Sequence, residues 1–138
     1  MKDNSLERTL SIIKPDAVER ELENEIKNIF LKNKLNIIES KKIKISKDEA
    51  EEFYKVHQSK PFYNDLCSYL SSGPIVVIIL EGQNAISENR RLMGATDPKK
   101  AEKGTLRFLY GISIDKNSVH GSDSLDNAKK EIDFFFKN

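Results

Sequence analysis

The chain has 138 residues, 38% of them hydrophobic and 33% charged, which suits one domain, residues 1–138, burying about two-thirds of the surface its unfolded form would expose. Lys and Arg number 23 against 22 Asp and Glu, so no overall basic excess argues for nucleic acid, and any anion site must be local. Cys67 is the only cysteine, which excludes an internal disulfide framework; no apolar run approaches ~20 residues and residues 1–4 are polar, so neither a membrane span nor a signal peptide is expected, and the expected location is cytoplasmic.

Thr9-Leu10-Ser11-Ile12-Ile13-Lys14 alternates polar and apolar residues up to Pro15, the pattern of a strand that stops there. Lys14 then sits at a strand end, sharing a pleat face with Leu10 and Ile12, with its ammonium expected at the solvated rim. Leu22, Ile26, Ile29 and Phe30 form a helical stripe, and Leu35, Ile37, Ile43 and Ile45 keep period two. Ser46-Lys47-Asp48-Glu49 matches a capping box, after which Ala50, Phe53, Tyr54 and His57 continue one helical face, placing His57 among core residues as a structural histidine. Lys60-Pro61 restarts the chain; Phe62, Leu66, Tyr69 and Leu70 mark a second helix that Gly73-Pro74 ends, and Cys67 falls among its apolar residues as a core thiol.

Ile75-Val76-Val77-Ile78-Ile79-Leu80 is a continuous apolar run expected to be a central strand covered on both faces. Asn84 is placed to cap a helix carrying Ile86, Arg90 and Met93, closed by Gly94. From Ala95 to Ser118 periodicity disappears, which reads as a long loop, and a structureless loop of this length inside a compact domain is either functional or a wrong assignment of elements. Val119 and His120 then read as a short strand, Gly121 as a position needing unusual dihedrals, Ser122-Asp123-Ser124 as cap residues, and Leu125, Ala128, Ile132, Phe135 and Phe136 as a final amphipathic helix. The order is β-α-β-(αα)-β-α-loop-β-α, an α/β sandwich with one sheet covered by helices.

His120, among small polar residues beside a helix start, lies where an anion can be held against an imidazole. Arg90 lies on the helix before the long loop, Thr96 at its start and Arg107 beyond Gly104 within it, and Lys14 can join them from its strand end. A nucleoside triphosphate carries about four negative charges, and a transferring phosphoryl group needs positioned cations. No Gly-x-Ser-x-Gly elbow accompanies the serines, and His57, Cys67 and His120 lack the spacing of a metal site.

Asn117-Ser118-Val119-His120-Gly121-Ser122-Asp123 resembles the Asn-x-x-His-Gly-Ser-Asp signature of the nucleoside diphosphate kinases. Further stretches agree in order and spacing: residues 11–18 (Ser-Ile-Ile-Lys-Pro-Asp-Ala-Val), Lys60-Pro61-Phe62, Ser72-Gly73-Pro74-Ile75-Val76, and the loop segments Gly94-Ala95-Thr96-Asp97-Pro98 and Gly104-Thr105-Leu106-Arg107. The likeness runs from about Arg8 to Phe136 and implies a ferredoxin-like βαββαβ core, an antiparallel sheet with an extra helical hairpin and a long loop before the last strand.

The resemblance also implies an enzyme: reversible ping-pong transfer of a γ-phosphate between nucleotides of any base, through a phosphohistidine at His120. Lys14, Arg90, Thr96 and Arg107 match its phosphate-contacting residues, and Asn117 with Lys14 its sugar-contacting pair. Glu131 matches the glutamate that orients the histidine, Ser122 the serine supporting that glutamate, and Tyr54 a tyrosine lining the site. Phe62 matches the aromatic residue stacked on the base, with Ile114 opposite and Leu66 nearby. Mg²⁺ held mainly by the nucleotide phosphates is the implied cofactor, nucleoside di- and triphosphates are the partners, and a homotetramer or homohexamer is the implied assembly, with neither membrane nor obligatory nucleic acid. The sequence departs from the family at Asn24 (commonly glycine), Ser118 (usually aliphatic) and Leu109 (usually acidic). The alternative reading is a non-catalytic module on the same fold that senses nucleotides or binds nucleic acid.

Overall fold

The computed structural model describes residues 6–114 and 116–136; residues 1–5, 115, 137 and 138 lie outside it, and with them the polar start and the final Asn138. Strand β1 (Leu6–Ile13) runs into a short helix α1 (Pro15–Glu19), then α2 (Glu23–Lys32) and β2 (Asn36–Ile43). A helical hairpin follows: α3 (Lys47–Phe53), a 3₁₀ turn at Lys55–His57, and α4 (Tyr63–Leu70). After β3 (Ile75–Gln83) and α5 (Ala85–Met93) come a 3₁₀ turn at Pro98–Lys100, α6 (Leu106–Tyr110), β4 (Val119–Gly121) and α7 (Leu125–Phe136).

The sheet is antiparallel throughout in the order β2-β3-β1-β4, the ferredoxin-like arrangement. β3 is central because it can bury both faces. Val76, Ile78 and Leu80 join Ile26, Phe30 and Met93 under α1, α2 and α5, while Ile75 and Val77 join Leu10, Ile12, Cys67 and Phe135 under α3, α4 and α7. Strict alternation along the pleat thus feeds two cores from one run. Phe30 is fully buried, and truncation of such a side chain to alanine costs about 3–5 kcal/mol.

Local chemistry sets the element ends. Ser46 Oγ accepts from Glu49 N–H while the Glu49 carboxylate accepts from Ser46 N–H, closing the expected capping box on α3. In α2, Ile26 and Phe30 lie one turn apart on the buried side and Lys27 pairs with Glu23 at 2.8 Å. Asn84 holds the N-cap position of α5 with φ +51° but no side-chain cap bond, so its contribution is tolerance of the left-handed turn.

One expectation is extended here and two fail. Pro15 stops β1 and also starts α1, since its fixed φ and missing N–H suit the first helical position. The segment from Ala95 to Ser118 is not structureless: Asp97 caps Lys99 N–H in one turn, and Thr105 caps Phe108 N–H to open α6. Elements of three and five residues are too short to show a helical period. His57 is not in the core. The helix ends at Phe53, and the 3₁₀ turn carries His57 out of register, leaving it half-buried.

Candidate active site

β4 pairs with β1 so that Ile12 stands opposite His120 and Ile13 opposite Val119. Ile12 belongs to the core under α3, α4 and α7, so the pleat turns the imidazole toward the same helices while Val119 joins the opposite core. Phe53 meets the ring edge-on with centroids 5.4 Å apart. On α7, Glu131 follows the buried Ala128 by three residues and precedes the buried Phe135 by four, which places its carboxylate on the inward face. Its Oε1 lies 3.0 Å from His120 Nε2 and accepts from Ser122 Oγ at 2.7 Å. A carboxylate oxygen can only accept, so Nε2 carries the proton and Nδ1 the free lone pair.

The imidazole opens on a cavity of about 580 Å³. Lys14, Tyr54, Phe62, Leu66, Arg90, Thr96, Arg107, Ile114, Asn117 and Glu131 line it with His120, so the structure brings together every residue singled out from the sequence, with Ser122 one bond behind Glu131. The histidine side chain is 20% exposed and shares this space with both arginines, which is the access a nucleophile needs.

Lys14 corrects an expectation. Its side chain is buried, not solvated, and Nζ donates to Asn117 Oδ1 at 3.0 Å; Asn117 Nδ2 in turn donates to the Thr96 carbonyl at 3.0 Å. The amide therefore spans the strand end and the loop. Arg107 is also buried: Nη1 donates to the Gly94 carbonyl at 3.0 Å and Nη2 to the Val119 carbonyl at 2.9 Å, while Nε has no hydrogen-bond partner among the described residues. Burial, reinforced by Arg90, lowers this guanidinium to about 10, which still leaves it cationic at neutral pH. A desolvated cation short of partners attracts anions. Gly94 is required beside it, with φ +84° and a hypothetical Cβ 2.5 Å from Thr105 Oγ1.

Tyr54 is buried, and desolvation, then the nearby Glu131 charge, pushes its phenol well above the usual tyrosine range, so it stays protonated. Phe62 and Ile114 are 46% and 56% exposed, which rules out a core role for Phe62. Phe62 has the His57 ring 6.0 Å away and Lys60 Nζ 5.9 Å from its centroid. Val56, His57, Met93, Asp123 and Asn127 also line the cavity and were not read from the sequence as site residues. Asp123 sits inside the recognised motif; a hydrogen bond from Asn127 lowers its carboxyl below the usual value, helped by Arg90 and His120. Gly121 has no positive φ, contrary to expectation: a Cβ there would lie 2.3 Å from Asn89 Nδ2, so close packing is the reason for glycine.

A family model described as nucleoside diphosphate kinase matches residues 7–138. The chain is 57% identical over 131 residues to a nucleoside diphosphate kinase of a Nitratiruptor species, covering 95% of this chain and 96% of that one. It is 55% identical over 132 residues to one from Campylobacter jejuni, with 96% of each covered. Among solved structures, the Aquifex aeolicus nucleoside diphosphate kinase superposes with a TM-score of 0.94 at 38% identity over 96% of both chains. The Encephalitozoon cuniculi enzyme gives 0.92 at 36% identity, covering 96% of this chain and 90% of that one.

Proposed function

This chain belongs to the nucleoside diphosphate kinase family and is an enzyme of that kind, and we propose that His120 carries the phosphoryl group between nucleotides. The Nδ1 lone pair attacks the γ-phosphorus of a bound triphosphate, the bond to the β,γ-bridging oxygen breaks, and the diphosphate leaves with that oxygen's charge. Positive charge developing on the ring is stabilised by Nε2–H against Glu131, whose carboxylate stays fixed by Ser122. A second diphosphate then takes the group back from nitrogen. One phosphoanhydride replaces another, so the net reaction is close to isoenergetic and nucleotide concentrations set its direction.

The observation that carries this reading is the single Glu131 oxygen shared by His120 and Ser122 beside a cavity with three cationic side chains, Lys14, Arg90 and Arg107. In it Lys14 and Asn117 bind sugar hydroxyls, and Lys14, Arg90, Arg107 and Thr96 take phosphates. Phe62 and Ile114 hold the base, Leu66 backs them, and Tyr54 borders the histidine. Stacking is worth about 1–3 kcal/mol and is indifferent to hydrogen-bond pattern, which supports broad base use.

Mg²⁺ fits as an ion that arrives with the nucleotide. Among the described residues no cluster of three His, Cys, Asp or Glu could hold a metal; of the two carboxylates lining the cavity Glu131 is engaged by His120 and Ser122, and Asp123, one oxygen of which accepts from Asn127, would be the one to face the ion. Bound there, the ion supplies charge neutralisation on the phosphates.

We also take residues 1–138 as one domain. A cytoplasmic location suits a nucleotide enzyme whose Cys67 is a buried free thiol; among the described residues no helix is long and apolar enough to cross a membrane. A homo-oligomer, tetramer or hexamer, is supported by the exposed Phe108, Leu109 and Ile112 at and just beyond α6, and light scattering of the purified protein decides its size. The test of the chemistry is incubation with γ-labelled ATP and magnesium without acceptor. Wild type takes up acid-labile, alkali-stable label, His120→Ala takes up none, and diphosphates of several bases discharge it. Phosphorus NMR assigns the bond to Nδ1. An unlabelled wild type would leave a nucleotide-binding module instead.

A further inference from the structure

Ser118, two residues before His120, stands in backbone that side chains avoid. Its φ is +76°, and Val119 N–H donates across it to the Asn117 carbonyl at 2.9 Å, closing a γ-turn of the rare positive-φ kind. Such a conformation persists in a non-glycine residue only where the surroundings enforce it, and strained backbone of this sort gathers at functional sites.

The enforcing groups form a cluster outside the cavity. Ser118 Oγ is fully buried and donates to Asp16 Oδ2 at 2.8 Å, with the Tyr110 carbonyl at 3.1 Å as its other acceptor within reach. Asp16, also buried, takes the Tyr69 hydroxyl on Oδ1 and Arg20 Nη2 on Oδ2 at 3.1 Å, and its own N–H donates to the Tyr69 oxygen at 2.8 Å. Arg20 Nη2 also reaches the Tyr110 carbonyl at 2.5 Å and Ser118 Oγ at 3.2 Å. From the other side, Lys14 N–H donates to the Ser118 carbonyl at 2.8 Å. The turn is thus held to α1, α4 and the end of α6 at once.

We propose that Ser118 is a positioning residue for phosphoryl transfer: its hydroxyl, fixed by Asp16, locks the γ-turn that aims Asn117 to one side and His120 to the other. The proposal rests on His120 being the nucleophile. The turn has Asn117 bound to Lys14 on its first side, and on its second the Val119 carbonyl bound to Arg107 and His120 paired with Ile12. Rotation of the Ser118 peptide would move all three contacts together. An aliphatic side chain could fill the space but could not donate to a buried carboxylate, so this chain holds the turn by a charge-assisted hydrogen bond.

The test measures single-turnover phosphorylation of His120 by γ-labelled ATP and magnesium at saturating nucleotide, in wild type, Ser118→Ala, Ser118→Gly, Asp16→Asn and the Ser118→Ala/Asp16→Asn pair. Glycine adopts positive φ without strain, so Ser118→Gly keeps the fold while lacking the hydroxyl. We expect the rate constant to fall roughly tenfold in both Ser118 variants, because the turn shifts by less than the ~1 Å whose misplacement costs about 100-fold. In Ser118→Gly the labelled fraction and Tm stay near wild type. The effects of Ser118→Ala and Asp16→Asn should overlap instead of multiplying. A purely structural role would lower labelled fraction and Tm and leave the rate constant alone. Labelling of Ser118→Gly at the wild-type rate, or multiplied effects in the double variant, overturns the proposal by itself; an unlabelled wild type sinks the nucleophile assignment and this inference with it.

Discussion

Nε2 of His120 lies 3.0 Å from Oε1 of Glu131. The contact fixes more than orientation, because a carboxylate dictates which ring nitrogen keeps the proton and so which one is nucleophilic. Glu131→Gln preserves length but offers an amide N–H, which favours the tautomer with the proton on Nδ1. The expected result is a loss of at least about 100-fold in the rate of His120 phosphorylation, with nucleotide affinity unchanged, since a wrong tautomer in a correct geometry disables the attacking group. Single-turnover labelling against equilibrium binding of ADP separates the two. A near-normal rate in Glu131→Gln would mean the carboxylate has no say in the chemistry.

Phe62 is 46% exposed at the N-cap of α4, so it contributes little to the core. Phe62→Ala should leave Tm within about 2 °C of wild type, as surface changes usually stay inside ±0.5 kcal/mol. Nucleotide affinity should weaken by about 1–3 kcal/mol and by a similar amount for adenine, guanine, cytosine and uracil diphosphates, because every base offers a stacking face. Calorimetric titration with the four ligands checks it. A large loss confined to one base would point to hydrogen-bond readout.

Much of this was readable from the chain. The Ile75–Leu80 run read as central because six consecutive apolar residues can only be buried on both faces, and the motif around His120 carried its neighbours with it. What escaped has physical causes. Lys14 looked solvated because burial of an ammonium depends on Asn117, over a hundred residues away. His57 was placed in the core by extending a helical period past Tyr54, where the helix had already ended. α6 is too short for a stripe. The Asp16 cluster joins residues distant in sequence, and no local pattern announces it.

Asp123 gives a pH dependence. The Asn127 side-chain bond lowers its folded carboxyl below the ordinary 3.8, so the ionised form is favoured by folding. The resulting stability is fully present above the unfolded value and is lost as pH falls through the folded one. Asn127→Ala should therefore lower Tm at pH 6, and the gap to wild type should close as pH is taken below 3.8 toward 2. Thermal melts across that range test it. A gap that widened toward acid would reverse the sign of the coupling.

Gly121 tests close packing behind the nucleophile. An added Cβ would sit 2.3 Å from Asn89 Nδ2, 2.9 Å from Met93 Cε and 3.0 Å from Met93 Sδ. Met93 ends in a flexible thioether that can yield, but Asn89 is completely buried and has no room to retreat. Gly121→Ala should cost about 1–3 kcal/mol of stability, the usual range for overpacking, and slow labelling of the adjacent His120. Among the described residues neither amide atom of Asn89 has a hydrogen-bond partner, so its removal gives up no bond to them. Asn89→Ala should consequently restore more than half of the Tm lost in Gly121→Ala. If the double variant melts no higher than Gly121→Ala alone, contact with Asn89 is not what excludes a side chain at this position, and the Met93 thioether would have to be the obstacle.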